Sequence, residues 1–311
     1  MKRRIKKKPI IVLLVIVIVV FAVSFKIIKT IQYHKTYDYK LSQLNYNEKE
    51  IASIKKLSDS KIDEILKIKK INKLSSIINQ KYFIEKNLDD YIKYYNENKD
   101  KKLSDIIAIV NVKTNNEPYS NTVKTDTSKN ELMLVNKYHY LDKEYIPNDV
   151  IDAPLSFSFS DNQTTKLVLD KFREMALAAD KENLTLIINS GYRDYDYQEK
   201  LYKKYETKDG VEVADTYAAR PGYSEHQTGL SLDIITYGAK ADNFEEFEEF
   251  KWLQDNAHKY GFILRYPKDK SYLTGYDYES WHYRYVGVEV ATEIKKLGIT
   301  FDEYYAYYID K

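Results

Sequence analysis

The chain has 311 residues, enough for one or two domains with a real core, and its 43% hydrophobic content belongs to a folded protein rather than a disordered one. Its 49 basic and 47 acidic side chains nearly cancel, so no whole-molecule field points to nucleic acid, and none is expected as a partner. The absence of cysteine excludes disulfides, thiolate catalysis and cysteine-type zinc centres; any metal must be held by histidine, aspartate or glutamate, and there are only 5 histidines.

At the N-terminus, Lys2, Arg3, Arg4, Lys6, Lys7 and Lys8 precede an uncharged apolar run over residues 9–25, closed by Lys26. A basic flank before such a run reads as an export signal. It predicts a single-pass anchor in the cell membrane with the N-terminus in the cytoplasm and everything after Lys26 outside. The run is short against the ~20 residues that a spanning helix needs. Ala22-Val23-Ser24 also offers the small residues of a cleavable signal peptide. Residues 37–102 follow without proline or glycine, with apolar side chains at three-to-four spacing, and predict helices. Ile51, Ile54 and Leu57 mark one stripe and Ile62, Ile65, Leu66 and Ile68 another, with Ser58 or Ser60 available to cap the second helix. This stretch is either a spacer that lifts a domain off the membrane or a small helical domain in its own right.

The β-branched run 106–112 predicts extended chain, and Asn115-Asn116-Glu117-Pro118 supplies a turn. The expected organisation is therefore a cytoplasmic basic segment 1–8, a transmembrane anchor 9–25, a helical spacer 26–104 and a main domain 105–311. Within that domain, 164–182 is expected as a helix with Leu167, Phe172, Met175 and Ala176 on its apolar face. Strands are expected over 184–188, 230–235, 262–265 and 281–286, and helices over 244–260 and 288–296. These elements lack a regular βαβ rhythm and predict an α+β class built on a small, mostly antiparallel sheet with flanking helices. The 31 tyrosines read as mostly structural.

The most informative segment is SEHQTGLSLD, residues 224–233. Leu230, Leu232 and Ile234 alternate toward a core, which leaves Ser231 and Asp233 on the other face, while Gly229 permits the tight turn that returns His226 toward Asp233. ESWHYRYVG, residues 279–287, offers His282 as a third ligand with Glu279 three residues before it. Two imidazoles and one carboxylate leave a divalent ion with net positive charge and an open position, the mark of a hydrolytic rather than a structural zinc site. Amide hydrolysis also needs a carboxylate to take a proton from water, for which Glu279 is placed, and a cation facing the developing oxyanion, for which Arg193 in SGYRDYDYQ stands just beyond a strand end. Read singly, each of these residues is an ordinary histidine, acid or salt-bridge partner; together they form one chemistry.

Taken in order, these segments resemble the VanY-type D-alanyl-D-alanine carboxypeptidases, zinc-dependent M15 peptidases. The signature SxHxxGxAxD is met by residues 224–233, the ExxWH element by Glu279, Trp281 and His282, and SGYR by residues 190–193 with Gln198 following. LVNKYHYLDKEYIPNDV (134–150) and YGFILRYP (260–267) also match, so that roughly residues 105–290 are covered. The resemblance implies a Hedgehog/D-Ala-D-Ala peptidase-like fold for 105–311 and a Zn2+ held by His226, Asp233 and His282. It implies Glu279 as the base, Arg193 at the oxyanion or substrate, and Ser224, Gln198 and Trp281 at the substrate. The substrate it implies is a peptidoglycan stem peptide losing its C-terminal D-alanine, by D,D-cleavage of the pentapeptide or L,D-cleavage of the tetrapeptide. A non-catalytic wall-binding protein of the same fold is the reading from another class, and the presence of every ligand and the base speaks against it. Ser231 departs from the signature, which usually has alanine there, and its hydroxyl is expected to bear on specificity if it faces the cleft.

Overall fold

The computed structural model describes the backbone of residues 7–310, with side chains from residue 16 onward. Most of the basic segment 1–8 therefore lies outside the described residues, as do the side chains of the first half of the apolar run. The chain forms two compact units, Met1–Ser104 and Asp105–Lys311.

In the first unit, α1 (Lys7–His34) continues beyond the apolar run of the sequence. Among the described residues its stretch Ile16–His34 is long and apolar enough to cross a membrane, with a mean hydropathy of 1.8 and no residue buried. Five short helices follow: α2 (Tyr37–Gln43), α3 (Glu48–Ile54), α4 (Asp59–Ile65), α5 (Leu74–Ile78) and α6 (Leu88–Glu97). Helices this short are marginal alone, so caps and packing hold them. Thr36 accepts from the Tyr39 N–H, and Asn47 and Glu50 close a reciprocal capping box. Of the two candidate caps for α4, Ser58 takes the role, its hydroxyl accepting from the Lys61 N–H. Ile51, Ile54, Leu57, Ile62 and Ile65 are buried together with Leu41, Leu74, Ile77, Leu88 and Tyr91, whereas Ile68, expected on the same stripe, is half exposed.

The second unit begins with a correction. The run expected as extended is helical, α7 (Leu103–Asn111), with Ile106, Ile107, Ile109 and Val110 all buried. A β-branched run enclosed on every side carries no periodicity that separates strand from buried helix. Two small strand pairs come next, β1 (Val123–Lys124) with β2 (His139–Tyr140) in parallel, and β3 (Val150–Asp152) with β4 (Gln163–Thr165) antiparallel. The helix α8 (Lys166–Asp180) leads to β5 (Ile187–Ser190). Next come α9 (Tyr195–Asp209), capped by the Asp194 carboxylate on the Tyr197 N–H, and α10 (Val211–Tyr217). The strand β6 (Ser231–Ile235), α11 (Glu248–Asn256), β7 (Phe262–Leu264), α12 (Ser271–Thr274), β8 (His282–Tyr285), α13 (Val288–Leu297) and α14 (Phe301–Tyr304) complete the unit.

The central sheet has the order β5-β6-β8-β7, antiparallel throughout. Side chains alternate across it. On one face Leu230, Leu232, Ile234, Tyr283, Tyr285 and Phe262 pack with Val168, Leu169, Phe172, Met175 and Ala176 of α8 in the main core. Burying a side chain such as Phe172 there contributes ~2–3 kcal/mol. The opposite face is also closed, so every residue of β6 and β8 is buried, and it carries Asp233, His282 and Arg284. Beyond it, Ile263 and Val286 join Ala291 and Ile294 of α13 and Phe301 and Tyr304 of α14 in a second core.

Candidate metal centre and cleft

Strand register makes the site. Asp233 on β6 stands directly opposite His282 on β8, and Ser190 at the end of β5 flanks Asp233 from the other side. His226 arrives on a 3-10 turn, Glu225–Thr228, just before β6. The turn opens on Ser224, whose hydroxyl accepts from the His226 N–H (3.3 Å), and ends on Gly229 with φ +66. A side chain there would be strained and would press a Cβ within 2.8 Å of Thr165 Cγ2, so glycine is what lets the chain reverse into the strand.

One ligand atom from each of His226, Asp233 and His282 lies within 4.8 Å of the others. Asp233 Oδ1 is 3.4 Å from His226 Nε2 and 3.3 Å from His282 Nδ1, and the two imidazole rings stand perpendicular with centroids 5.0 Å apart. Asp233 Oδ1 is buried and completes no hydrogen bond. Three buried donor atoms that converge without satisfying one another fit a cation between them, and a set of two nitrogens and one oxygen suits a borderline divalent metal. The outward nitrogens are held from behind. The Gly191 carbonyl accepts from His226 Nδ1 at 2.6 Å, and a carboxylate oxygen of Glu225 lies 3.4 Å from His282 Nε2.

Electrostatics follow from burial. Burial pushes the His226 imidazolium down to about 4, helped by the Arg193 charge, so this ring is neutral at physiological pH. Burial also acts to depress His282, but the adjacent Asp233 and Glu225 carboxylates outweigh it and carry the ring up to about 9 in the absence of metal. Asp233 is lowered despite its burial, because both imidazoles stabilise its charge. Burial drives the Glu279 carboxyl up to about 8, Asp233 adding to the push and His282 opposing it; its Oε2 lies 3.5 Å from His282 Nδ1.

The three candidate ligands, Glu279, Arg193, Ser224, Gln198 and Trp281 all line one cavity of about 840 Å³, so every proposed catalytic, substrate and metal residue reaches the same cleft. Arg193 carries a guanidinium whose Nε is buried without a partner, while its NH1 donates weakly to Ser190 Oγ at 3.4 Å. Gln198 donates to the Ala219 carbonyl (2.7 Å) and leaves its own buried oxygen unpaired. Trp281 is partly buried against the main core. Ser231 differs from expectation: it is fully buried, does not line the cleft, and its hydroxyl has no hydrogen-bond partner among the described residues.

Sequence reasoning gave no role to Glu225, Arg265, Arg284 or Asp302. Both arginines are fully buried, and both donate to Glu225 Oε1 at 2.8 Å; Arg265 also grips Asp302 at 2.6 and 3.2 Å. The available signal was a charged residue inside each of the apolar runs FILRY and HYRYV, since an arginine within a core strand needs a buried acid.

The family model for D-alanyl-D-alanine carboxypeptidase, VanY, matches residues 161–288. YodJ of Bacillus subtilis (strain 168) is 41% identical over 187 residues, covering 57% of this chain and 67% of YodJ. The bifunctional D-Ala-D-Ala dipeptidase and D-Ala-D-Ala carboxypeptidase VanXYC of Enterococcus gallinarum is 33% identical over 183 residues, 57% of this chain and 95% of VanXYC. Among solved structures, the LdcB LD-carboxypeptidase superposes with a TM-score of 0.57 at 38% identity over 60% of this chain and 91% of LdcB. The family-model match and the similarity across two thirds of YodJ and nearly the whole of VanXYC agree, and this chain belongs to the VanY-type D-alanyl-D-alanine carboxypeptidase family.

Proposed function

We propose that the protein is a zinc-dependent carboxypeptidase that removes the C-terminal D-alanine from peptidoglycan stem peptides at the outer face of the cell membrane, with the D-alanyl-D-alanine bond as its target. The observation that carries this reading is the convergence of His226, Asp233 and His282 within 4.8 Å at the wall of a cleft that also holds Glu279. Zinc bound by these three side chains supplies Lewis acidity toward the scissile carbonyl and the attacking water. Glu279 takes the proton from that water and delivers it to the departing D-alanine amine; burial raises its proton affinity, which strengthens it as a proton acceptor once the cation of a bound metal beside it favours its ionised form. Arg193, with a buried and unpartnered Nε, faces the oxyanion or the substrate's terminal carboxylate. Gln198 has a free acceptor for a substrate N–H, Trp281 offers an apolar wall, and Ser224 both caps the turn under His226 and lines the cleft.

Cleavage of the L,D-bond of the tetrapeptide is the second reading, favoured by the similarity to the LdcB LD-carboxypeptidase. Incubating the purified zinc-loaded chain with synthetic penta- and tetrapeptide stems and weighing the products separates the two. Alanine lost from pentapeptide is expected; alanine lost from tetrapeptide alone excludes the D,D assignment. In the same assay Glu279→Gln is expected to lower kcat by about 10²–10⁴ while retaining one equivalent of zinc, whereas Asp233→Asn loses the metal as well. Retention of full activity by Glu279→Gln would remove the glutamate from the chemistry.

A further inference from the structure

From the juxtaposition of the Glu225 carboxylate with the outward nitrogen of His282, we infer that Glu225 is a positioning residue for the metal centre, one that dictates which nitrogen of His282 meets the ion. The inference rests on the proposed metal site and goes beyond it, because Glu225 does not itself touch the ion's position.

Glu225 sits between the Ser224 cap and the proposed ligand His226, and its side chain is entirely buried. One of its oxygens, Oε1, is saturated by two fully buried guanidinium groups, Arg265 Nε and Arg284 NH1, each at 2.8 Å. Those groups are themselves fixed. Arg265 is clamped by the Asp302 carboxylate of α14, which also accepts from Asn136 Nδ2 at 2.8 Å, and Arg284 donates to the carbonyls of Glu131, Met133 and Tyr285. Two cations and two carboxylates make the cluster neutral, so it persists in the interior without an uncompensated charge. Locked this way, the carboxylate has one oxygen left, Oε2, and it lies 3.4 Å from His282 Nε2.

An imidazole that donates from Nε2 to a carboxylate keeps its lone pair on Nδ1, and Nδ1 is the atom 3.3 Å from Asp233 Oδ1 on the metal side. His226 uses the opposite nitrogen, because the Gly191 carbonyl holds its Nδ1 at 2.6 Å and leaves Nε2 inward. The two histidine ligands thus have opposite tautomers, each set by a partner behind the ring. For His226 the partner is a backbone atom, which no substitution of its own side chain can remove. For His282 it is a side chain, and therefore removable.

The test uses the full chain in detergent micelles, with histidine nitrogens labelled. The zinc dissociation constant is measured by competition with a chromophoric chelator for wild type and Glu225→Gln, alongside the thermal midpoint of each. Glu225→Gln is expected to weaken zinc binding by at least about tenfold, the usual scale for loss of a partner behind a metal-bound histidine. A variant that unfolds earlier but binds zinc within twofold of wild type overturns the inference, since a purely structural role moves the midpoint and not the affinity. In case the variant does not fold, nitrogen resonances of zinc-loaded wild type decide independently. Zinc on Nδ1 with the proton on Nε2 of His282 is the expected pattern, and zinc on Nε2 refutes the assignment. Wild type that takes up no zinc would instead sink the metalloenzyme reading itself, so the two failures are distinct.

Discussion

At the scale of single residues, Ser231 shows what a family departure means physically. Its hydroxyl would bear on specificity if it faced the cleft; instead it is buried outside the cleft with no hydrogen-bond partner among the described residues, and an unsatisfied buried hydroxyl costs ~1–3 kcal/mol. Ser231→Ala is therefore expected to raise unfolding free energy by about 1 kcal/mol, read from urea denaturation, with kcat/KM for the preferred stem peptide unchanged; a shift in substrate preference would place the side chain in the cleft after all. His139 gives the chain a pH dependence away from the metal centre. Largely buried beside Asn136 and Tyr305, its imidazolium is depressed to about 4 by burial, with the Lys113 charge adding to the effect. The unfolded chain takes up a proton near 6.5 and the folded chain does not until about 4, so stability is complete above 6.5 and falls as pH drops through that window, by about 2–3 kcal/mol. Denaturation curves of wild type and His139→Gln at pH 7, 5.5 and 4 should diverge by that amount; parallel losses would exclude His139 as the cause.

Among elements, the strands β6 and β8 and the turn before β6 bear the site, and β6 was the part most legible in the sequence. Leu230, Leu232 and Ile234 announce one face of β6 by alternation alone, and the structure puts them in the core with Asp233 opposite. The helix α8 was visible for the same reason, its buried Phe172, Met175 and Ala176 recurring at helical spacing. Other elements left no such trace. The helix α9 buries only Gln198 and Tyr202 and so offers no apolar stripe to read. The helix α7 is enclosed on all sides, and its isoleucines imitate a strand. Only the two arginines of the Glu225 cluster left a trace in the sequence, and their partners could not be read there, because the members come from four separate segments and meet only when the sheet and α14 are assembled. Gly191 tests how the elements bear on the metal. It follows β5 directly, its carbonyl holds His226, and a Cβ placed there would drive into the backbone carbonyl of Gln163 on β4. Gly191→Ala is expected to cost about 1–3 kcal/mol of stability and to weaken zinc binding with it, whereas Gly238→Ala, where nothing lies within 4 Å of a new Cβ, pays only for its backbone and leaves zinc affinity intact. Equal zinc affinity in both variants would free His226 from dependence on β5.

For the molecule as a whole, the lengthened apolar helix bears on how the chain is held. The helix α1 runs past the apolar stretch to His34, and its described large apolar side chains, from Ile16 to Ile31, are each more than half exposed, as lipid-facing residues would be. An uncleaved anchor predicts that the full chain stays with membranes after high-salt and alkaline washing and is released only by detergent, its N-terminal residues still present by mass spectrometry; recovery of a soluble chain starting near Ser24 would make the segment a cleaved signal. The pairing of Asp233 with His282 carries a further consequence. These residues lie far apart along the chain and become neighbours only when two strands close across the middle of the sheet, so no fragment that lacks either strand can present the full ligand set. Under the proposed metal assignment, capture of the ion is thereby tied to completion of the fold: a half-made domain would hold a metal too loosely to support hydrolysis.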